Sequence, residues 1–75
     1  MDKLLQILEG LHPDVDFLSE DALIDGGILD SFDIVTIVAE VDAEFNIQIP
    51  PQALIPAHFN SAQALYALLQ RLQND

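Results

Sequence analysis

The sequence has no cysteine and only two basic residues, Lys3 and Arg71. The first absence excludes disulfides, thiolate catalysis and cysteine-ligated zinc. Any thiol chemistry must therefore come from an attached group. The second leaves 13 Asp and Glu almost unopposed, a formal net charge of -11. Such a surface repels nucleic acid phosphates and anionic membranes. A basic protein partner is its natural complement, because opposite fields speed association.

Long apolar runs are also missing. The opening MDKLLQILEGLH is broken by Gln6 and Glu9 and does not read as a signal peptide. No stretch approaches the length of a membrane span. The expectation is a soluble, cytoplasmic monomer with no membrane insertion. Sustained alternation of apolar and polar residues is absent too, so no strand is expected. At 75 residues the chain makes one small domain, 1–75, with one core and no room for a large catalytic cleft. Its 51% hydrophobic content is too high for a disordered acidic tail.

What is present is helical periodicity. Leu4, Ile7, Leu8 and Leu11 form a first stripe, limited by Gly10 and Pro13. Residues 12–30 make a long connection. Its Phe17, Leu18, Leu23, Ile24, Ile28 and Leu29 are expected to be buried and to pin it down. From Ser31 to about Asn46, the residues Ile34, Ile37, Val38, Val41 and Phe45 share one helical face. Pro50 and Pro51 end regular structure. Pro56 opens a short turn through Phe59. Asn60 reads as a helix cap with Gln63 closing a capping box. Ala62, Leu65, Leu68, Leu69 and Leu72 then form the last stripe. The fold class is all-α, a small four-helix bundle of three main helices and one short helix.

The question the sequence poses lies in Gly26-Gly27-Ile28-Leu29-Asp30-Ser31-Phe32, GGILDSF, just before the longest helix. An EF-hand fails on ligand count, since Leu23 and Phe32 stand where oxygen ligands are required in the frame starting at Asp21. A G-x-S-x-G nucleophile elbow is not present around Ser31. The two histidines, His12 and His58, are not linked to Ser31 by any sequence spacing. His12 reads as a solvated helix-end residue and His58 as packed in its short turn. Asp30 suits the helix cap, because a carboxylate there accepts orphan N–H groups and matches the helix dipole. Capping leaves Ser31 exposed and without a task.

Phe32, Val35, Ala39 and Ala43 form a second apolar strip, nearly opposite the core face and accompanied by Asp33, Thr36, Glu40 and Glu44. A helix with two such strips is either covered on both sides or offers one to a partner. Both remain open at this point.

GILDSF followed by Asp33-Ile34-Val35, with Glu44-Phe45-Asn46-Ile47-Gln48-Ile49-Pro50 closing the helix, resembles the acyl and peptidyl carrier proteins over nearly the whole chain. The G-I-L-D-S spacing is more similar to D-alanyl carrier proteins than to fatty-acid carriers. Glu40 also falls where the D-alanyl carriers tend to have an acid. The resemblance implies a carrier domain that is not itself an enzyme. Ser31 would be the attachment site of 4′-phosphopantetheine, transferred from coenzyme A, whose thiol holds an acyl or aminoacyl group as a thioester. Asp30 would lend one oxygen to magnesium during that transfer, with no stable metal site in the free protein. Phe32, Asp33, Val35, Thr36, Ala39, Glu40 and Glu44 would form the partner surface. The partners would be a phosphopantetheinyl transferase and an adenylating ligase or acyltransferase with a basic docking surface. Phe32 departs from the family's usual Leu or Met, Thr36 from the Glu of fatty-acid carriers, and Ala39 is small where a larger contact is common. These departures favour a dedicated pathway over general fatty-acid synthesis. The alternatives are a fatty-acid or polyketide carrier and, from a different class, an unmodified acidic interaction module.

Overall fold

The structure is a computed structural model and describes residues 2–74. Helix α1 spans Asp2–Leu11, α2 Ser31–Phe45, α3 Pro56–Phe59 and α4 Ala62–Asn74, with no strand among the described residues. Helix α1 packs against both α2 and α4, and α3 packs on α4. The all-α bundle of three main helices and one short helix is therefore the observed architecture.

The core follows the stripes. Leu4 and Leu8 of α1, Ile37 and Val41 of α2, Phe59 of α3, and Ala62, Leu65, Leu68 and Leu69 of α4 are all buried. Ile34, Val38 and Phe45 are partly covered and pack against that cluster. Ile47 and Ile49, two residues apart in the extended exit from α2, both point inward and are buried. Pro51 does not merely end structure. It occupies the first position of a short 3-10 turn, Pro51–Ala53, where its missing N–H is no loss.

The long connection is pinned by Phe17, Leu23 and Leu29, all buried, with Ile24 and Ile28 partly covered. Leu18 is the exception to the expectation: it is 58% exposed. Its neighbour Phe17 takes the inward place. The backbone of Leu18 turns outward, its N–H donating to Asp16 Oδ1 at 3.3 Å.

The capping of α4 also differs from the expectation. Ser61, not Asn60, caps this helix: its hydroxyl accepts the N–H of Ala64 at 3.0 Å. Gln63 closes no box; its Nε2 donates to the carbonyl of Leu18 at 2.9 Å. Asn60 is one residue too early and is engaged elsewhere.

Candidate functional site at the start of helix α2

Helix α2 begins with a full capping box. Asp30 is extended (φ -111°, ψ -176°), and its Oδ1 accepts the N–H of Asp33 at 2.9 Å. Asp33 Oδ2 returns the contact by accepting the N–H of Asp30 at 3.3 Å. Two orphan donors are thus satisfied reciprocally. At the far end Asn46 adopts the left-handed conformation (φ 55°, ψ 41°) that asparagine tolerates, and its N–H donates to the carbonyl of Asp42. The start of α2 is therefore defined by carboxylate side chains and its end by a left-handed asparagine whose backbone N–H closes the last turn.

Ser31 is the first residue of this helix and is exposed. Its hydroxyl enters no hydrogen bond among the described residues, in contrast to Ser19 and Thr36, whose hydroxyls bond to backbone carbonyls. Asp30 is exposed beside it.

The two glycines before it have different duties. A Cβ on Gly26 would stand 2.6 Å from the carbonyl oxygen of Ala22, a contact that backbone cannot yield to. Gly27 has φ +77°, which favours glycine over any residue with a side chain. The Gly27 N–H donates to Ile24 O at 3.0 Å, and the Leu29 N–H to Leu23 O at 2.8 Å. The loop thereby closes on itself, and the buried Leu29 anchors it directly before the cap.

His12 is not a solvated helix-end residue. Its Nε2–H donates to Asp33 Oδ2 at 2.9 Å, with the two side chains 32% and 16% exposed. The hydrogen bond from His12 holds the Asp33 carboxyl below its ordinary value of 3.8. Partial desolvation works in the opposite direction, and the N–H of Asp30 reinforces the lowering. This contact joins the end of α1 to the first turn of α2 across 21 residues of sequence. No spacing rule signalled it. His58 is packed in its turn as expected, with Nδ1 donating to Ala53 O at 2.8 Å.

The remaining residues of interest fall into two groups. Phe32 is 77% exposed and Val35 66% exposed, and Ala39 and Ala43 are exposed with them. The second apolar strip of α2 is therefore uncovered. Thr36, Glu40 and Glu44 instead line an open groove of about 370 Å³ between α1 and α2, opposite Lys3, Gln6, Ile7, Gly10 and Leu11. Thr36 is partly covered, its hydroxyl donating to Phe32 O at 3.1 Å. Glu44 lies 3.5 Å from Lys3 Nζ, an exposed pair. Asp33 is held by His12 and by the cap. Of the acids named with the strip, Asp33 and Glu44 are thus engaged, Glu40 is exposed and enters no ion pair among the described residues, and all three lie on the α1 side.

This is a small acidic bundle in which one exposed serine, without a hydrogen-bond partner among the described residues, stands at a capped helix start. Comparison with known proteins gives that class a family. A D-alanyl carrier protein of Streptococcus equi subsp. zooepidemicus (strain MGCS10565) is 30% identical to this chain over 61 residues, covering 81% of the chain and 77% of the relative. No family model matches the chain. On the strength of that relative and the fold, the chain belongs to the carrier protein family. No helix among the described residues is long and apolar enough to cross a membrane.

Proposed function

We propose that the chain is a phosphopantetheine-dependent carrier, with the arm attached through Ser31 Oγ. The observation that carries this reading is the placement of Ser31: exposed, without a hydrogen-bond partner among the described residues, and first in a capped helix. The residues fit the group. A phosphodiester at this position meets the free N–H groups of the first turn and the positive end of the helix dipole. The absence of cysteine agrees, because the reactive sulfur belongs to the arm. Asp30 and Asp33 fix the helix start, and Asp30 offers one carboxylate oxygen to the magnesium that accompanies transfer of the arm. The apolar strip of Phe32, Val35 and Ala39 serves partner enzymes as a docking ridge. When bound, the arm supplies a thiol that holds cargo as a thioester. The chain's own residues present and orient its attachment point.

For the cargo, we favour an amino acid, D-alanine being the first candidate. The relative's name and the G-I-L-D-S spacing both support this. The partners are then a phosphopantetheinyl transferase and an adenylating ligase with a basic docking face, and the setting is the cytoplasm.

The test is intact mass after co-expression with a broad-specificity phosphopantetheinyl transferase. The mass rises by one phosphopantetheinyl group, and Ser31→Ala abolishes the gain. An unchanged mass, with a transferase that modifies other carriers in the same cells, refutes the reading. Loading of the modified protein by an adenylating ligase offered single amino acids then identifies the cargo.

A further inference from the structure

Asn60 lies 29 residues beyond Ser31 in sequence, yet it grips the loop that delivers Ser31. Its Oδ1 accepts two consecutive backbone N–H groups, those of Ile24 and Asp25, each at 3.0 Å. Its Nδ2 donates to Asp25 Oδ2 at 3.2 Å. Its own carbonyl accepts the N–H of Leu23 at 2.9 Å. One partly covered residue therefore satisfies three successive amides and a carboxylate of the same loop. The neighbouring contacts carry that constraint forward. Leu23 O accepts from Leu29 N–H, Ile24 O accepts from Gly27 N–H, and Leu29 immediately precedes the capping residue Asp30. Asparagine is suited to this role: it offers an oxygen with two lone pairs and a separate N–H donor, whereas aspartate offers no donor and alanine neither.

We infer that Asn60 is a positioning residue for the modification of Ser31, acting through the 23–29 loop without touching the serine. This rests on the carrier reading given above. With the clasp intact, the loop holds one arrangement, and a transferase meets Ser31 and Asp30 already placed. Without it, the loop samples others, and only the competent fraction is bound productively. Such a loss raises the apparent dissociation constant by the inverse of that fraction and leaves the chemical step alone.

The experiment measures kcat and KM for phosphopantetheinyl transfer onto purified protein, well below the melting temperature. Asn60→Ala is expected to raise KM for the carrier roughly tenfold, with kcat nearly unchanged. Asn60→Asp sets two carboxylates against each other and raises KM at least as much. Adding Asp25→Asn to Asn60→Asp restores both partners with the donor reversed, and KM returns to within about twofold of the starting value. The double variant also serves where Asn60→Ala fails to fold. Amide resonances of Gly26 and Gly27 supply a readout that needs no transferase. They shift or broaden in Asn60→Ala and recover in the double variant. A KM unchanged in Asn60→Ala, or an equal loss in the double variant and in Asn60→Asp, overturns the positioning role. If the unaltered chain accepts no arm at all, the carrier reading itself fails, and the role of Asn60 in modification fails with it.

Discussion

Replacing Phe32 by alanine separates a docking ridge from a packed face. Phe32 is 77% exposed, so about a quarter of its surface is covered in the fold. Full burial of a phenylalanine contributes roughly 1.5–3 kcal/mol, and a quarter of that is about 0.5 kcal/mol. Alanine recovers a similar amount through its better helix propensity, up to about 0.5 kcal/mol. The two nearly cancel, and the melting temperature is expected to move by less than about 4 °C. Ile37, fully buried on the opposite face, sets the contrast. Ile37→Ala removes core contacts and costs about 2–5 kcal/mol, enough to unfold a domain of this size or lower its melting point by roughly 10–40 °C. On the functional side, an aromatic anchor at an interface is commonly worth about 1–2 kcal/mol or more when truncated. Transfer of the arm to Phe32→Ala should then fall roughly fivefold to thirtyfold in kcat/KM. Thermal melts by circular dichroism and transferase kinetics on the same preparations decide it. A melting loss like that of Ile37→Ala would show that the strip is packed. An unaltered kcat/KM with intact stability would remove Phe32 from the partner surface.

Two further outcomes follow from the same geometry. Gly26→Ala drives a Cβ against the Ala22 carbonyl and is expected to destabilise the protein by more than about 1 kcal/mol, whereas Gly10→Ala, which meets nothing within 4 Å in α1, should stabilise it by up to about 1 kcal/mol. Chemical denaturation of both variants checks the opposite signs, and equal effects would refute the steric account. Asp33 has a lowered pKa in the fold, so its contribution to stability is complete above the ordinary carboxylate range and disappears as pH falls through the lowered value. Asp33→Asn should therefore flatten the loss of stability below about pH 4, measured by denaturation across the acid range; an identical acid limb in both proteins would show that the His12 contact does not bias the equilibrium.

The parts of the fold governed by local rules were legible in the sequence. The stripes of α1, α2 and α4 depend on a 3.6-residue period, and Asp30 on the chemistry of a helix start, so each could be placed from neighbours alone. The contacts that organise the site are of another kind. His12 to Asp33 spans 21 residues and Asn60 to Asp25 spans 35, and no periodicity connects them. Asn60 also shows how a correct local rule can settle on the wrong residue. Asparagine and serine both cap helices, and in Asn60-Ser61 the serine took the cap because the asparagine was held by the loop before Ser31. Leu18 fails for a simpler reason: Phe17 and Leu18 are adjacent in a turn, and only one of them can face the core.

The arrangement around Ser31 is lopsided, and that bears on how a partner would approach. At about 100° per residue, Ser31 lies on one flank of the strip centred near Phe32, and Asp33, Glu40 and Glu44 lie on the other. An enzyme that reaches Ser31 while using the acids must therefore span the exposed apolar strip between them. Two of those acids are already engaged, Asp33 by His12 and Glu44 by Lys3. The Lys3–Glu44 pair is exposed on both sides, and pairs of that kind contribute no more than about 1 kcal/mol, so a basic side chain from a partner can displace it at little cost. Asp33 is different, because moving it would also undo the cap. Glu40, which enters no ion pair among the described residues, would then be the first local contact for a basic side chain of the proposed partner, with Glu44 following if Lys3 yields. The net charge of -11 draws a basic surface to the domain at a distance, but it cannot choose a face. In the proposed carrier, choice of face would fall to the strip, because Phe32 and Val35 are large exposed apolar side chains directly beside the serine.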